Sequence, residues 1–280
     1  MNMKFYCCTL LLLLSSILVD AQVIVTKDVD YMNDSVYDNG KDLLDIYMPQ
    51  GKENVPVIVY FHGGALLMGD KSLGESIGNK ITESGIGLVS VNYRLSPEFQ
   101  HPTHVNDAAA ATAWVIKNID GYGGNPQKVY VGGHSAGAYL AALLAIDSSL
   151  LQIHEIEDSK LAGAVLISPF LYVEETAKDR IEKDSIYQTI WGNAPQSWIQ
   201  ASVKPHILPN RDNILLIYAD GDDAWRKEQN ERFATAMTDV GNLRVFTKEV
   251  PNRNHATLLK AILDNDDMII NLLNDFVMKE

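Results

Sequence analysis

The stretch KVYVGGHSAGAYLAALLA, residues 128–145, decides the fold. Its apolar, β-branched start at residues 129–131 predicts a buried strand, and its alanine- and leucine-rich end predicts a helix. Ser135 lies between the two, among small residues, on what must be a sharp strand-to-helix turn. Large side chains two residues away would collide with the turning chain. We infer that the small neighbours hold this hydroxyl out at the carboxyl end of the strand, where open parallel sheets bind their ligands.

Strands and helices alternate along almost the whole chain. Strands are predicted at residues 43–49, 55–61, 87–93, 128–132, 161–168, 213–219 and 244–250, and helices at residues 72–84, 106–118, 136–147, 227–240 and 258–279. This alternation predicts an α/β fold, with a mostly parallel sheet of about eight strands covered by helices on both faces. A single domain is expected over residues 22–280. Residues 168–209 break the rhythm with scattered aromatics and prolines and are predicted to form a small cap.

The overall charge argues against a nucleic-acid partner. The chain has 280 residues, is 46% hydrophobic and carries a formal net charge of −13. Binding to a phosphate backbone needs clustered lysine and arginine, and no such cluster stands out in this sequence. A small molecule is therefore the expected ligand.

The N-terminus is typical of a secretory signal peptide. MNMK supplies a positive charge, FYCCTLLLLLSSILV an apolar run, and Ala21 a small residue that fits cleavage before Gln22. The run is shorter than the roughly 20 apolar residues of a membrane span. Residues 1–21 thus predict a cleaved signal, a secreted or periplasmic protein and no stable membrane anchor. Both cysteines, Cys7 and Cys8, lie in this segment, so the mature chain has no thiol for a disulfide or a nucleophile.

A serine hydroxyl becomes a good nucleophile only when a base takes its proton. Of the seven histidines, His255 follows the last predicted strand, in a loop that emerges at the same sheet edge as Ser135. His255 is therefore the predicted base. His134 adjoins the serine, but neighbouring side chains on such a turn point apart. His62 precedes two glycines and is interpreted as a buried support of its loop.

An imidazole base needs a carboxylate that fixes its tautomer and stabilises its charged form. The segment LLIYADGDDAW offers Asp220, Asp222 and Asp223 directly after a buried strand. Asp220 is close enough to the strand end to belong to the turn itself. Asp222, which follows Gly221, is the predicted acid, and Asp223 remains an alternative.

Attack on a carbonyl also builds negative charge on the substrate oxygen, which needs waiting hydrogen-bond donors. The glycine-rich segment FHGGALLMGD, residues 61–70, follows a buried strand. Its small side chains let backbone N–H groups approach a substrate closely. The N–H of Ala136, directly after the serine, is the other predicted donor.

With these residues, the chain resembles the esterase/lipase group of the α/β-hydrolase superfamily, which includes hormone-sensitive-lipase-like carboxylesterases, feruloyl-esterase-type enzymes and kynurenine formamidases. The motifs are HGGA, VNYRLSPE, YGGNPQKVYVGGHSAGAYLA, ADGDDAW and NRNHATL, in the chain order serine, acid, histidine. The resemblance implies the α/β-hydrolase fold and oxyanion donors at the N–H groups of Gly64, Ala65 and Ala136. Ala65 replaces the third glycine of the lipase loop HGGG. The backbone N–H of Ala65 is expected to remain a donor if the φ of Ala65 is negative.

The sequence therefore predicts a serine hydrolase that cleaves short-chain, aromatic or carbohydrate-linked carboxylic esters through an acyl-enzyme, with Ser135, Asp222 and His255 as catalytic residues. No cofactor and no metal are expected, because the chain shows no metal-ligand spacing such as HExxH. Hydrolysis of an aryl formamide is an alternative, since GHSAGAYLA resembles the formamidase segment. A non-catalytic binding protein on the same fold is the alternative from another class, and the presence of all three catalytic residues disfavours it.

Overall fold

An eight-stranded sheet forms the centre of the protein. The computed structural model describes residues 23–32, 39–157, 161–211, 213–262 and 268–278, so the expected signal peptide lies outside the described residues. The strands are β1 (Val23–Asp30), β2 (Leu43–Pro49), β3 (Val55–Phe61), β4 (Gly87–Val91), β5 (Gly124–His134), β6 (Leu161–Ile167), β7 (Ile214–Ala219) and β8 (Val245–Val250). The α/β prediction with a mostly parallel sheet is confirmed.

The strand order is β1-β2-β4-β3-β5-β6-β7-β8. The pairs β1–β2 and β2–β4 are antiparallel, and the other five pairs are parallel. Parallel strands end at the same edge of a sheet. The loops after β3, β5, β6, β7 and β8, which carry all the expected site residues, therefore meet at one edge.

Helices cover both faces of the sheet. They are α1 (Glu75–Thr82), α2 (Thr103–Asn118), α3 (Ala136–Ile146), α4 (Ser149–Gln152), α5 (Val173–Lys183), α6 (Gln188–Trp191), α7 (Pro195–Ala201), α8 (Ala224–Asp239), α9 (Thr257–Ala261) and α10 (Met268–Met278). Alternate residues of β3 point to opposite cores. Val57, Val59 and Phe61 join α2 and α3, and Ile58 and Tyr60 join α1 and α10. This burial on both faces explains the continuous apolar runs of the central strands.

Several predicted helix boundaries differ from the observed ones. The helix expected from residue 106 begins at Thr103, and the helix expected from residue 227 begins at Ala224. The C-terminal helix expected over residues 258–279 is described as α9 and α10, and residues 263–267 between them lie outside the described residues. No helix in the part of the chain that the structure describes is long and apolar enough to cross a membrane.

The cap segment, residues 168–209, contains more helix than its sequence indicates. It folds into α5, α6 and α7, which are short and separated by turns. It is held to the body by polar contacts: Tyr139 Oη donates to Ala201 O at 2.7 Å, and Gln229 Oε1 accepts from Leu171 N at 2.9 Å. Phe170 stacks on Tyr139 with ring centroids 4.6 Å apart. These contacts place the cap segment beside the end of β5.

Candidate active site

The turn between β5 and α3 holds Ser135 in a strained backbone conformation, with φ 56° and ψ −115°. The turn packs tightly under β3. A Cβ added at Gly137 would lie 1.8 Å from Phe61 O, and one at Gly133 would lie 2.5 Å from the same atom. The expectation that only small residues fit two positions from the serine is thus confirmed. Such strain persists only where the surrounding structure enforces it, and it is commonest at functional sites.

Ser135, His255 and Asp222 form a continuous chain of hydrogen bonds. Ser135 Oγ lies 2.9 Å from His255 Nε2, and His255 Nδ1 lies 3.0 Å from Asp222 Oδ1. Because an ionised carboxylate only accepts, Nδ1 carries the proton and Nε2 is free to accept from the serine hydroxyl. The structure brings together the three side chains named from the sequence.

Asp222 is buried and its carboxylate is fully paired. Oδ2 accepts from Ser168 Oγ at 2.7 Å and from Ala219 N at 2.9 Å, while Oδ1 faces His255. Burial alone would raise the pKa of Asp222, but hydrogen bonds from His255, Ser168 and Ala219 N–H outweigh it and hold this pKa below its usual value. Asp222 therefore stays ionised, as an acid that stabilises an imidazolium must.

Asp220 and His134 fix the loop that carries His255. Asp220 accepts hydrogen bonds from Asn252 N at 2.8 Å and Arg253 N at 3.1 Å. His134 Nε2 donates to His255 O at 2.9 Å, and the two rings are 4.6 Å apart. Burial lowers the pKa of His134 to about 3, so this ring is a neutral support. The sequence indicated that His134 is not the base but did not reveal this contact.

The loop after β3 lines the same cavity as the serine and carries backbone amides there. Within the described residues, the N–H groups of Gly64, Ala65 and Ala136 donate to no protein acceptor. Although the Ala65 N–H itself remains without an acceptor among these residues, the condition set for this donor, a negative φ, is not met, since Ala65 has φ 58° and Leu66 φ 64°. The reason is a tight turn in which Leu67 N and Met68 N both donate to Gly64 O, at 3.0 and 3.1 Å. The turn forces the left-handed conformation on Ala65 although it has a Cβ.

His62 supports this loop from below, as its sequence context indicated. The side chain is fully buried, Nδ1 donates to Gly63 O at 2.8 Å, and the ring stacks on Tyr93 at 4.3 Å. Burial lowers the pKa of His62 to about 4, so it is neutral near pH 7. The contact holds the glycine turn beside the serine.

Comparison with known proteins decides the family. A family described as having the alpha/beta hydrolase fold matches residues 58–259. The chain belongs to this α/β-hydrolase family. Among solved structures, the truncated form of a carbohydrate esterase from gut microbiota superposes with a TM-score of 0.76 at 20% identity, over 91% of this chain and 95% of that one. At 20% identity this similarity shows the fold alone.

Two curated relatives cover most of this α/β hydrolase. The esterase LipQ of Mycobacterium tuberculosis is 26% identical over an alignment of 266 positions that covers 82% of this chain and 60% of LipQ. The kynurenine formamidase of Salmo salar is 27% identical over an alignment of 240 positions that covers 82% of this chain and 76% of that protein. The chain thus spans less than two thirds of the length of LipQ.

Two cavities meet at Ser135 in this α/β hydrolase. The first, about 490 Å³, leads under the cap segment and is lined by Ala65, Phe170, Arg180 and Trp225 among others. The second, about 710 Å³, is largely apolar and passes His255, Met68 and Leu259. Cavities of this size accept small organic ligands. Among the described residues, no group of three or more histidine, cysteine, aspartate or glutamate side chains is placed to hold a metal ion.

Sequence reasoning missed two residues around the Asp222 carboxylate. Ser168, fully buried, places Oγ 2.9 Å from His255 Nδ1 and also donates to Asp222. Arg226 Nη1 donates to Ser168 O at 2.9 Å, and its Nε lies 4.0 Å from Asp222 Oδ1. A polar residue at the end of β6, beside the nucleophile's strand, was the available signal for Ser168. No sequence signal marked Arg226, because its contacts with Ser168 and Asp222 depend on where α8 begins.

Proposed function

We propose that this α/β hydrolase is a serine hydrolase that cleaves carboxylic esters, with Ser135 as nucleophile, His255 as general base and Asp222 as the orienting acid. One observation carries the proposal: the hydrogen-bond chain from Ser135 Oγ through His255 to Asp222, at 2.9 and 3.0 Å. It stands at the mouth of two cavities and near backbone amides that have no acceptor among the described residues. A relative named as an esterase supports the ester class.

The first half of the reaction forms an acyl-enzyme. Ser135 Oγ bonds to the carbonyl carbon while its proton moves to His255 Nε2 and the carbonyl π electrons move to oxygen. The amides of Gly64, Ala65 and Ala136 are the proposed donors to that oxygen. The charge on the imidazolium is balanced by ionised Asp222. Loss of one such donor costs about 3–4 kcal/mol in the transition state.

Collapse of the intermediate breaks the bond to the alcohol oxygen, which takes the proton from His255 Nε2. Water then gives a proton to Nε2, attacks the acyl carbon and releases the acid as Ser135 regains its hydrogen. Because His255 must reach the leaving oxygen, the cavity that it lines receives the alcohol half. The cavity under the cap segment then receives the acyl half.

Cleavage of an aryl formamide is the second candidate function. It is favoured by the similarity to the kynurenine formamidase of Salmo salar, which extends over 76% of that protein. The same serine, histidine and amides serve both reactions, since each passes through a tetrahedral oxyanion. The difference lies in the leaving group, an aromatic amine in place of an alcohol.

Turnover by the chain from Gln22 onward, compared with its Ser135→Ala variant, tests the proposal. The substrates are p-nitrophenyl esters from acetate to laurate and N-formylkynurenine. We expect hydrolysis of short-chain esters and a loss of at least about 10⁴-fold in kcat for the variant, whose fold is unchanged by circular dichroism. Hydrolysis of the formamide in preference to every ester would select the second candidate. If the folded Ser135→Ala variant turned over substrate as fast as the unsubstituted protein, Ser135 would not be the nucleophile.

A further inference from the structure

Arg180 on α5 lines the cavity that also holds Ser135, and aromatic rings surround its guanidinium. Its Cζ lies 4.9 Å from the ring centroid of Phe170, 5.3 Å from that of Trp225, 5.6 Å from that of Tyr187 and 5.9 Å from that of Trp191. Rings on several sides restrict the guanidinium and shield part of it from water, and Arg180 is half-buried. The cation is thus pre-positioned at the wall of the cavity.

No acceptor in the described part of the chain pairs with Arg180, which sets it apart from the arginines near it. Arg226 donates to Ser168 O, and Arg232 binds Glu175 at 2.7 Å, whereas the guanidinium of Arg180 forms neither a hydrogen bond nor an ion pair with any described residue. Burial lowers the pKa of Arg180, yet an arginine stays protonated in proteins. Its N–H groups therefore remain available to a ligand.

The carboxylates around the cavity do not neutralise this cation. Glu175 is engaged by Arg232 at 2.7 Å, and Glu228 lies 3.7 Å from the same guanidinium. Asp223 and Asp179 are exposed to solvent. Asp223 attracts Arg180 from a distance and raises its pKa, but neither carboxylate comes within ion-pair distance of the guanidinium. Their negative charge nevertheless lowers the potential in the cavity, which favours a singly charged ligand over a phosphate.

We propose that Arg180 binds a carboxylate at the far end of the acyl group, so that the preferred substrates are half-esters of dicarboxylic acids. A guanidinium presents two parallel N–H donors that match the two oxygens of a carboxylate. The acyl half of the substrate occupies the cavity that Arg180 lines, because the cavity lined by His255 receives the alcohol half. The inference rests on the proposed ester hydrolysis and adds the substrate class.

Matched pairs of esters test the charge requirement. Ethyl hydrogen glutarate and ethyl 5-methylhexanoate differ only in a carboxylate against an isopropyl group on the acyl half. 4-Acetoxybutanoate and 4-methylpentyl acetate make the same comparison on the alcohol half. The proton released by hydrolysis is measured to follow the rate of each reaction. We expect kcat/KM about 10- to 100-fold higher for the glutarate half-ester than for its neutral partner, the range for a charged hydrogen bond, and no such preference in the acetate pair.

Arg180→Met removes the charge and keeps an unbranched side chain, and Arg180→Lys restores a point charge. Lys178→Met is the matched control, because Lys178 lies on the same helix, is exposed and, among the residues that the structure describes, pairs only with Glu182 at 3.8 Å. We expect the preference for the carboxylate to fall by about 10- to 100-fold in Arg180→Met, chiefly through KM, since the contact exists before and during reaction. It should recover in part in Arg180→Lys and stay unchanged in Lys178→Met.

Failure of this inference is distinct from failure of the proposed function. Hydrolysis of the neutral esters that is lost in Ser135→Ala, without any preference for the carboxylate, overturns the role of Arg180 alone. A preference in the acetate pair overturns the assignment to the acyl half. If no ester is hydrolysed, calorimetric titration with ethyl hydrogen glutarate decides. Binding that disappears in Arg180→Met supports the anion site, and absence of binding refutes it.

Discussion

Asp222 and Asp223 are neighbours in sequence but meet different surroundings. Asp222 is 6% exposed and lies 3.0 Å from His255 Nδ1. Asp223 is exposed and is the residue immediately before α8. Only a carboxylate removed from water can hold one imidazole tautomer firmly and offset its charge, because solvent screens an exposed pair. The geometry therefore favours Asp222 as the acid.

Asp222→Asn and Asp223→Asn form a matched pair that tests this choice. We expect Asp222→Asn to lower kcat about 10⁴-fold, because an amide in that position favours the wrong histidine tautomer. Asp223→Asn should change kcat by less than about 10-fold, because it removes a solvent-exposed charge. Steady-state kinetics on a short-chain ester, with thermal unfolding as the folding control, measures both. A larger loss in Asp223→Asn would transfer the role to that residue.

The serine, the histidine and the acid could be named from the sequence because each lies in a recognisable motif that follows a strand, buried for Ser135 and Asp222 and largely exposed for His255. Ser168 stands after a strand too, but a serine at a strand end is common and nothing nearby in sequence marks its partners. Its contacts with Asp222 and His255 join residues 54 and 87 positions away. The positive φ of Ala65 was equally hidden, since it follows from carbonyl contacts within the folded loop.

At the scale of elements, β3, β5 and α3 pack closely enough to exclude side chains at the turn. The strands pair in parallel with Phe61 opposite Gly133, and α3 starts so near β3 that its second residue, Gly137, lies against the carbonyl of Phe61. This close approach sets the direction in which Ser135 points.

Gly137→Ala tests whether this packing is required. We expect a loss of unfolding free energy at the upper end of about 1–3 kcal/mol, because the new Cβ meets a backbone oxygen that cannot rotate away. Gly121→Ala is the control, since a Cβ there has nothing within 4 Å. Both changes reduce the entropy of the unfolded chain alike. Urea unfolding measures the two, and equal stability would show that the turn can relax.

The central strands were predictable because burial on two faces leaves long apolar runs. The cap segment was predicted only as an irregular region. Its helices are short, with α6 spanning four residues, and α5 has only Val173 and Ala177 buried. So few buried positions leave little periodicity to detect. Its helices form because tertiary contacts hold them, and a single sequence does not display those contacts.

At the scale of the whole molecule, strong negative charge opposes the binding of an anionic substrate. The formal charge is −13 and stays so without the expected signal peptide, because Lys4 and Asp20 cancel within it. Long-range repulsion acts on any carboxylate that approaches, whereas Arg180 acts only at contact inside the cavity. Salt weakens the first much more than the second, because exposed charges are screened and partly buried ones much less.

This difference predicts an unusual salt dependence for a protein that binds an anion through an arginine. Raising the ionic strength from about 0.01 to about 0.15 M shortens the Debye length from about 30 to about 8 Å. We expect kcat/KM for ethyl hydrogen glutarate to rise by about 2-fold or more, while that for ethyl 5-methylhexanoate stays constant. Arg180→Met should keep the same salt slope at a lower rate. A fall in kcat/KM with salt would mean that local attraction governs encounter and that the net charge of the molecule does not.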